Sequence, residues 1–317
     1  MGRSGALLAA AAIAALGCGG STNAGNGGKE LPGLVTGDVL LEVLDVPFAQ
    51  EVAASDAAEP GPASEVADLP SDPAADPATD TVPEKGLAKS GYIYAHTAST
   101  LYSWVPSPTT QPKKVGDFLF AGSDESDPQM TDMAIDYDGR LYGVTFGGLY
   151  RCDADSASCQ HLASFTEEFN GMTIVPAGTI QANVETIVAI SSAGGWYRVD
   201  VQGSKAVLTH QGDYGSGYSS AGDAYSIEGV GTYAAVNGGV SGTALVQVDP
   251  KTGAVLKELG DIPGNSIWGL AGMGNKVYAF DDDGTIYLGD VTSAASFKSY
   301  LKTSIGWWGA AVSTRGH

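Results

Sequence analysis

From residue 90 onward, apolar residues recur in short alternating runs instead of at helical spacing, the pattern of half-buried strands. Five of these runs align: residues 101–105 (LYSWV), 149–153 (LYRCD), 196–200 (WYRVD), 245–249 (LVQVD) and 286–290 (IYLGD). They follow one another at steps of 48, 47, 49 and 41 residues. Each is preceded, 8 to 12 residues upstream, by another β-type run: 93–96, 141–144, 187–190, 233–236 and 277–280. A more polar run follows each, near 113–118, 160–165, 205–210, 254–259 and 297–301. A group of strands repeated at a period in the forties predicts the blades of a propeller.

Runs rich in small residues supply the innermost strands, where crowding around an axis requires them: 133–135, 172–174, 226–230, 268–271 (WGLA) and 308–312 (WGAAV). The last has no strands after it, and the first set, opening at Gly91, has no inner strand before it. Pairing the C-terminal strand with the first blade removes both free edges. The expectation is an all-β, five-bladed β-propeller closed in this way over residues 90–317. Two Asp-Gly turns precede apolar-Tyr strands, Asp138-Gly-Arg-Leu-Tyr142 and Asp283-Gly-Thr-Ile-Tyr287. In this the region resembles extracytoplasmic propellers of the quinoprotein-like, NHL and lactonase type. The resemblance implies a fold and leaves activity open, because Asp-Gly before alternating apolar residues is also general hairpin chemistry.

The N-terminus reads differently. Arg3 precedes an apolar run of 12 residues, 5–16 (GALLAAAAIAAL), too short to cross a bilayer core of roughly 30 Å and suited to a signal peptide. It ends in Ala15-Leu16-Gly17-Cys18, which resembles the lipobox of bacterial lipoproteins, although Ala15 stands where Leu is usual. That resemblance implies a leader over 1–17, a lipid on Cys18, membrane attachment through it, and a place in the cell envelope, at the outer membrane or cell surface. Residues 18–89 hold most of the prolines and only one aromatic residue, Phe48. Such a composition buries too little apolar area to offset chain entropy and predicts a disordered linker, roughly 45 Å end to end as a flexible coil.

Charge narrows the partners. The chain carries a formal net charge of −20, shared almost equally between the linker and the repeat region. So acidic a surface repels phosphate backbones, so nucleic acid is not an expected partner. With Cys18 assigned to lipid, Cys152 and Cys159 remain, flanking a turn-forming Asp-Ala-Asp-Ser-Ala-Ser. They are expected to form a disulfide across a hairpin, as an oxidising compartment favours. A metal would need further ligands nearby, and only His161 is adjacent.

Motifs for chemistry are sparse: there is no Walker loop and no His-Glu-x-x-His pair. No cofactor is evident. Calcium is the one candidate ion, at the acidic turns 136–139 and 281–284 or among carboxylates at the axis. In a propeller, the connections from outer to inner strands converge on one end of the axis. That places Asp132, Asn170, Asp223 and Asn265, with Tyr225, Trp268 and Trp307, as a candidate polar and aromatic site for a protein or carbohydrate ligand. The competing interpretation makes the acids solvated and the tryptophans core. Two function classes follow: a displayed binding scaffold, or a metal-dependent hydrolase of lactonase or glycosidase type using acids at the channel mouth.

Overall fold

The computed structural model of the chain describes residues 86–215, 217–240, 242–292 and 296–316. The expected leader, Cys18 and the linker as far as residue 85 lie outside them. Strands β1 (Ile93–His96), β2 (Thr100–Trp104) and β3 (Lys113–Asp117) form a meander, followed by a short β4 (Leu119–Ala121). Next come β5 (Asp132–Ile135), β6 (Leu141–Val144), β7 (Gly148–Cys152) and β8 (Ser158–Ser164). They are followed by β9 (Gly171–Val175), β10 (Thr186–Ile190), β11 (Gly195–Gln202) and β12 (Lys205–Asp213). β13 (Ser219–Ile227), β14 (Gly231–Gly239), β15 (Gly242–Val248) and β16 (Val255–Asp261) make the next group. The last are β17 (Ile267–Met273), β18 (Lys276–Asp281), β19 (Thr285–Asp290), β20 (Lys298–Lys302) and the isolated β21 (Gly309–Ala311).

Within each group every strand pairs antiparallel with the next. The C-terminal β21 pairs antiparallel with β1, Tyr94 opposite Ala311 and His96 opposite Gly309, so the first sheet runs β21-β1-β2-β3. The opening strand of each group then packs beside that of its neighbour: β5 on β9, β9 on β13, β13 on β17, β17 on β21, and β21 back on β5. Four-stranded meanders whose first strands close a ring are a β-propeller. The expected closure by the C-terminal strand is present, and with it the innermost edge of the first sheet is satisfied.

The outer edges are managed less uniformly. β8 is covered over one half by β4, which runs parallel to it, and touches β12 through a single parallel bridge from Ser164 to Lys205. Neither contact follows from the repeat, since β4 falls in a stretch with no counterpart in the other groups. One inner strand also lies upstream of its expected position. β13 occupies Ser219–Ile227, and 228–230 form the turn after it. The cause is a bulge between Ser220 and Ala224, which breaks the alternation that marks a strand and hides the polar half of β13 in a run of Ser, Gly and Asp.

Packing between sheets is aromatic. Trp104 meets Tyr278 edge-on at 5.5 Å, and Trp307 meets Tyr102 at 5.4 Å and Phe280 at 5.6 Å, which ties the last group of strands to the first. The propeller has two ends. Outer-to-inner connections cross one of them, here called the mouth. The other, the base, carries the hairpin turns 136–139 and 153–157. Residues 86–89 run across the base: Gly86 accepts from Ala154 N at 2.8 Å and Ala88 N donates to Gly139 O at 2.7 Å. Cys152 and Cys159 are directly opposed in the β7–β8 register and form the expected disulfide at this end, with Cα atoms 4.0 Å apart.

Candidate functional site

Inner strands begin at the mouth with a common position, occupied by Asp132, Gly171, Asp223, Gly269 and Gly309 in turn. Both aspartates are fully buried. Asp132 accepts from Met133 N at 2.8 Å and, across to β9, from Met172 N at 2.6 Å. Asp223 Oδ2 accepts from Leu270 N of β17 at 2.6 Å and Ala310 N of β21 at 3.0 Å. Two side chains therefore stitch the ring's inner strands, Asp132 joining β5 to β9 and Asp223 joining β13 to β17 and β21. Glycine is required between them: a Cβ on Gly309 would collide with His96 Nε2 and with Asp132 Oδ1.

The two carboxyls also face each other. They lie within hydrogen-bonding reach, and Asp223 Oδ1 meets no N–H or O–H donor. Burial drives both well above the usual carboxylate range, and for Asp223 the negative Asp132 raises it further. A proton held between them would satisfy Asp223 Oδ1 and remove the like-charge repulsion. Around this pair sit two groups the sequence did not single out. His96 is fully buried, its Nδ1 3.0 Å from Thr97 O, and burial lowers its pKa to about 4, so the ring is neutral at physiological pH. The Tyr214 hydroxyl, buried and without a partner, is pushed upward by burial and then by the two aspartates.

This inner layer is structural. Its carboxylates are shut from solvent and taken by backbone amides, so neither Asp132 nor Asp223 reaches a ligand at the mouth. Below them the axis narrows to a cavity near 10 Å³, lined by residues including Ala134, Thr173, Tyr225 and Ala311. That is space for at most about one water. Tyr225 is also core: it stacks on Tyr233 at 5.3 Å and fills the room left by Gly272. Trp307, expected at the mouth, is buried completely among Tyr102 and Phe280. The residue that stands at the rim is its neighbour, Trp308.

Trp308 and Trp268 are 38% and 39% exposed. Each immediately precedes an inner-strand glycine, Gly309 and Gly269, whose strands pack directly together. Phe146 and Val240 are also exposed in mouth loops, but the two tryptophans differ in standing at equivalent rim positions of adjacent inner strands. Asn170 holds the corresponding place before Gly171 and is half-buried, with Oδ1 lacking a donor. Asn265 lies in an exposed connection, its backbone N donating to Asp281 Oδ2 at 3.1 Å. A Trp-Gly pair occurs in both inner runs, and that repeat was the signal that distinguishes Trp308 from Trp307.

Neither acidic turn offers a free set of calcium ligands. Asp136 Oδ1 accepts from Arg140 N at 2.7 Å, and Oδ2 is 3.5 Å from the Arg140 guanidinium. Asp281 spends Oδ1 on Asp283 N and Oδ2 on Asn265 N. Among the described residues, no three His, Cys, Asp or Glu side chains converge as metal ligands would. His161 packs edge-on against Tyr150 at 5.3 Å, and the adjacent cysteines are bonded to each other.

No protein-family model and no curated protein matches the chain. Among solved structures, it is similar to the β-propeller domain of Cps50 (Swd1) from Myceliophteria thermophila. That likeness has 12% identity and a TM-score of 0.39, over 66% of this chain and 67% of that one. At that level it carries no weight beside the strand order, on which the propeller assignment rests.

Proposed function

We propose that the protein is a lipid-anchored binding module of the cell envelope, a five-bladed propeller that takes its ligand on the mouth face. The observation that carries this reading is the exposed pair Trp268 and Trp308, set at equivalent rim positions where an occluded axis leaves only a surface to bind. Its orientation supports it. Residues 86–89 lie on the base, so chain leading to them joins the propeller at the end opposite the tryptophans. A scaffold fixed by its base presents its mouth outward. The pattern ending in Cys18 supports the anchor and the envelope location, and the disulfide suits an oxidising compartment.

The full chain, with and without Trp268→Ala and Trp308→Ala together, should be probed on peptide and glycan arrays. Both residues are exposed, so the double variant is expected to keep its melting temperature and lose the signals of the native chain. Retention of every signal by a folded double variant would place binding elsewhere. Expression in a bacterial host with labelled palmitate, beside Cys18→Ala, checks the anchor: label and membrane retention should vanish together.

A further inference from the structure

Charge is distributed unevenly between the two ends of the propeller. Among the described residues the mouth connections comprise 97–99, 122–131, 145–147, 165–170, 191–194, 213–215, 217–218, 237–240, 261–266, 281–284 and 303–308. They contain ten acidic residues and no Lys, Arg or His. Seven of the acids are exposed to solvent: Asp124, Asp127, Glu167, Glu168, Asp213, Asp282 and Asp283, the last paired with Lys302 at 2.9 Å. At the base, by contrast, Lys89 pairs with Asp155 at 3.2 Å and Arg140 with Asp138 at 2.8 Å. Arg315 lies over the Tyr137 ring at 4.0 Å. Cations are thus interspersed with acids at the tethered end, whereas the mouth loops contain none and are met there by Lys302 of β20, which pairs with Asp283 at 2.9 Å.

A predominantly acidic rim surrounding exposed indoles selects among occupants. An anionic glycan, a nucleic acid or an anionic membrane would approach against the field of the whole face. A neutral sugar would gain from the indoles and nothing from the acids. A basic peptide gains from both, because an Arg or Lys side chain can lie over an indole face while its neighbours meet the surrounding carboxylates. Resting on the mouth reading above, we infer that the occupant is a cationic segment of a partner protein, seated with a basic side chain on Trp268 and Trp308.

In this arrangement the two terms separate. The indoles provide short-range contact, so their loss accelerates dissociation. The acidic rim provides long-range attraction, so its neutralisation slows association and removes salt dependence. Among the described residues the rim acids form no cluster of three metal-ligating side chains.

The test is a titration of the full chain with a decapeptide of alternating Lys and Arg, monitored by isothermal titration calorimetry. Chitohexaose serves as the neutral comparison and an alternating Glu-Ser decapeptide as the anionic one. Saturable binding of the basic peptide is expected, weakened at least tenfold by raising salt from 50 to 300 mM. The Trp268→Ala/Trp308→Ala variant should bind about tenfold or more weakly at fixed salt. The Glu167→Gln/Glu168→Gln/Asp282→Asn variant, with its tryptophans intact, should lose most of the salt dependence.

No binding of the basic peptide at 50 mM salt would overturn the inference. So would equal binding by the double tryptophan variant, which would reduce the effect to diffuse charge. Salt-insensitive binding of chitohexaose that needs both tryptophans would overturn the cationic occupant while leaving the mouth reading intact. Array signals indifferent to the tryptophan pair would instead remove the mouth reading itself.

Discussion

At the scale of single residues, the axis of this propeller is governed by where protons sit. Asp132 and Asp223 are both raised by burial, so folding favours their protonated forms. Their contribution is complete below the unfolded carboxylate range and is lost as pH rises through the folded values. His96 is lowered from 6.5 to about 4, so folding favours its neutral form. Its contribution is present above 6.5 and is lost as pH falls through about 4, a change of about 3 kcal/mol on full protonation. Thermal melts across pH 4 to 9 separate the two. Asp223→Asn keeps an acceptor and supplies an N–H to Asp132, and is expected to flatten the decline toward alkaline pH. Asp223→Ala leaves the amides of Leu270 and Ala310 buried without acceptors, costing about 2–4 kcal/mol at every pH. A native pH profile for Asp223→Asn would show that the pair does not share a proton.

Among elements, the β7–β8 hairpin is the part most fully legible from sequence. Two cysteines flank a turn-forming stretch, and the hairpin puts them opposite each other; Asp153 Oδ1 fixes the turn by accepting from Asp155 N and Ser156 N, both at 2.9 Å. Closing so short a loop stabilises by about 2.5 kcal/mol in the chain-entropy model. Cys152→Ala/Cys159→Ala is expected to lower the unfolding free energy by that amount in urea melts, with a larger loss pointing to strain elsewhere in the hairpin. The repeat was equally legible, because strand alternation and a period in the forties are local signals. Less so was anything that depends on which face a residue shows. Trp307 and Trp308 are adjacent and chemically identical; the register of β21 on β1 makes one core and the other rim, and the Trp-Gly pair shared with Trp268 is the trace this leaves in the sequence. Asp132 and Asp223 look like ligands in sequence. What removes them is contact with amides 40 and 47 residues further on, together with Ala310 beyond. β4 and the bulge in β13 break the repeat locally, so self-similarity could not place them.

At the scale of the whole molecule, the ring depends on joining its two ends. β21 supplies the inner strand of the first sheet, donates Ala310 N to Asp223, and brings Trp307 into the core between Tyr102 and Phe280. Removing residues 307–317 exposes the edge of β1, takes one of its two amide donors from Asp223 Oδ2 and deletes a fully buried indole. Truncating the indole alone costs about 3–5 kcal/mol, comparable with the entire stability of many domains. The truncated chain is therefore expected to lose its cooperative melt and to associate through β1. Connectivity is a separate matter from contact. β21 runs from mouth to base and β1 from base to mouth, so a short linker from residue 316 to Tyr92 makes them an ordinary hairpin. A permuted chain beginning at residue 307 retains every contact that β21 makes, and near-ultraviolet circular dichroism should show native tryptophan packing in it but not in the truncated chain. If the truncated chain kept a monomeric, cooperative transition, closure would be carried by packing between sheets, and the C-terminal strand would be dispensable.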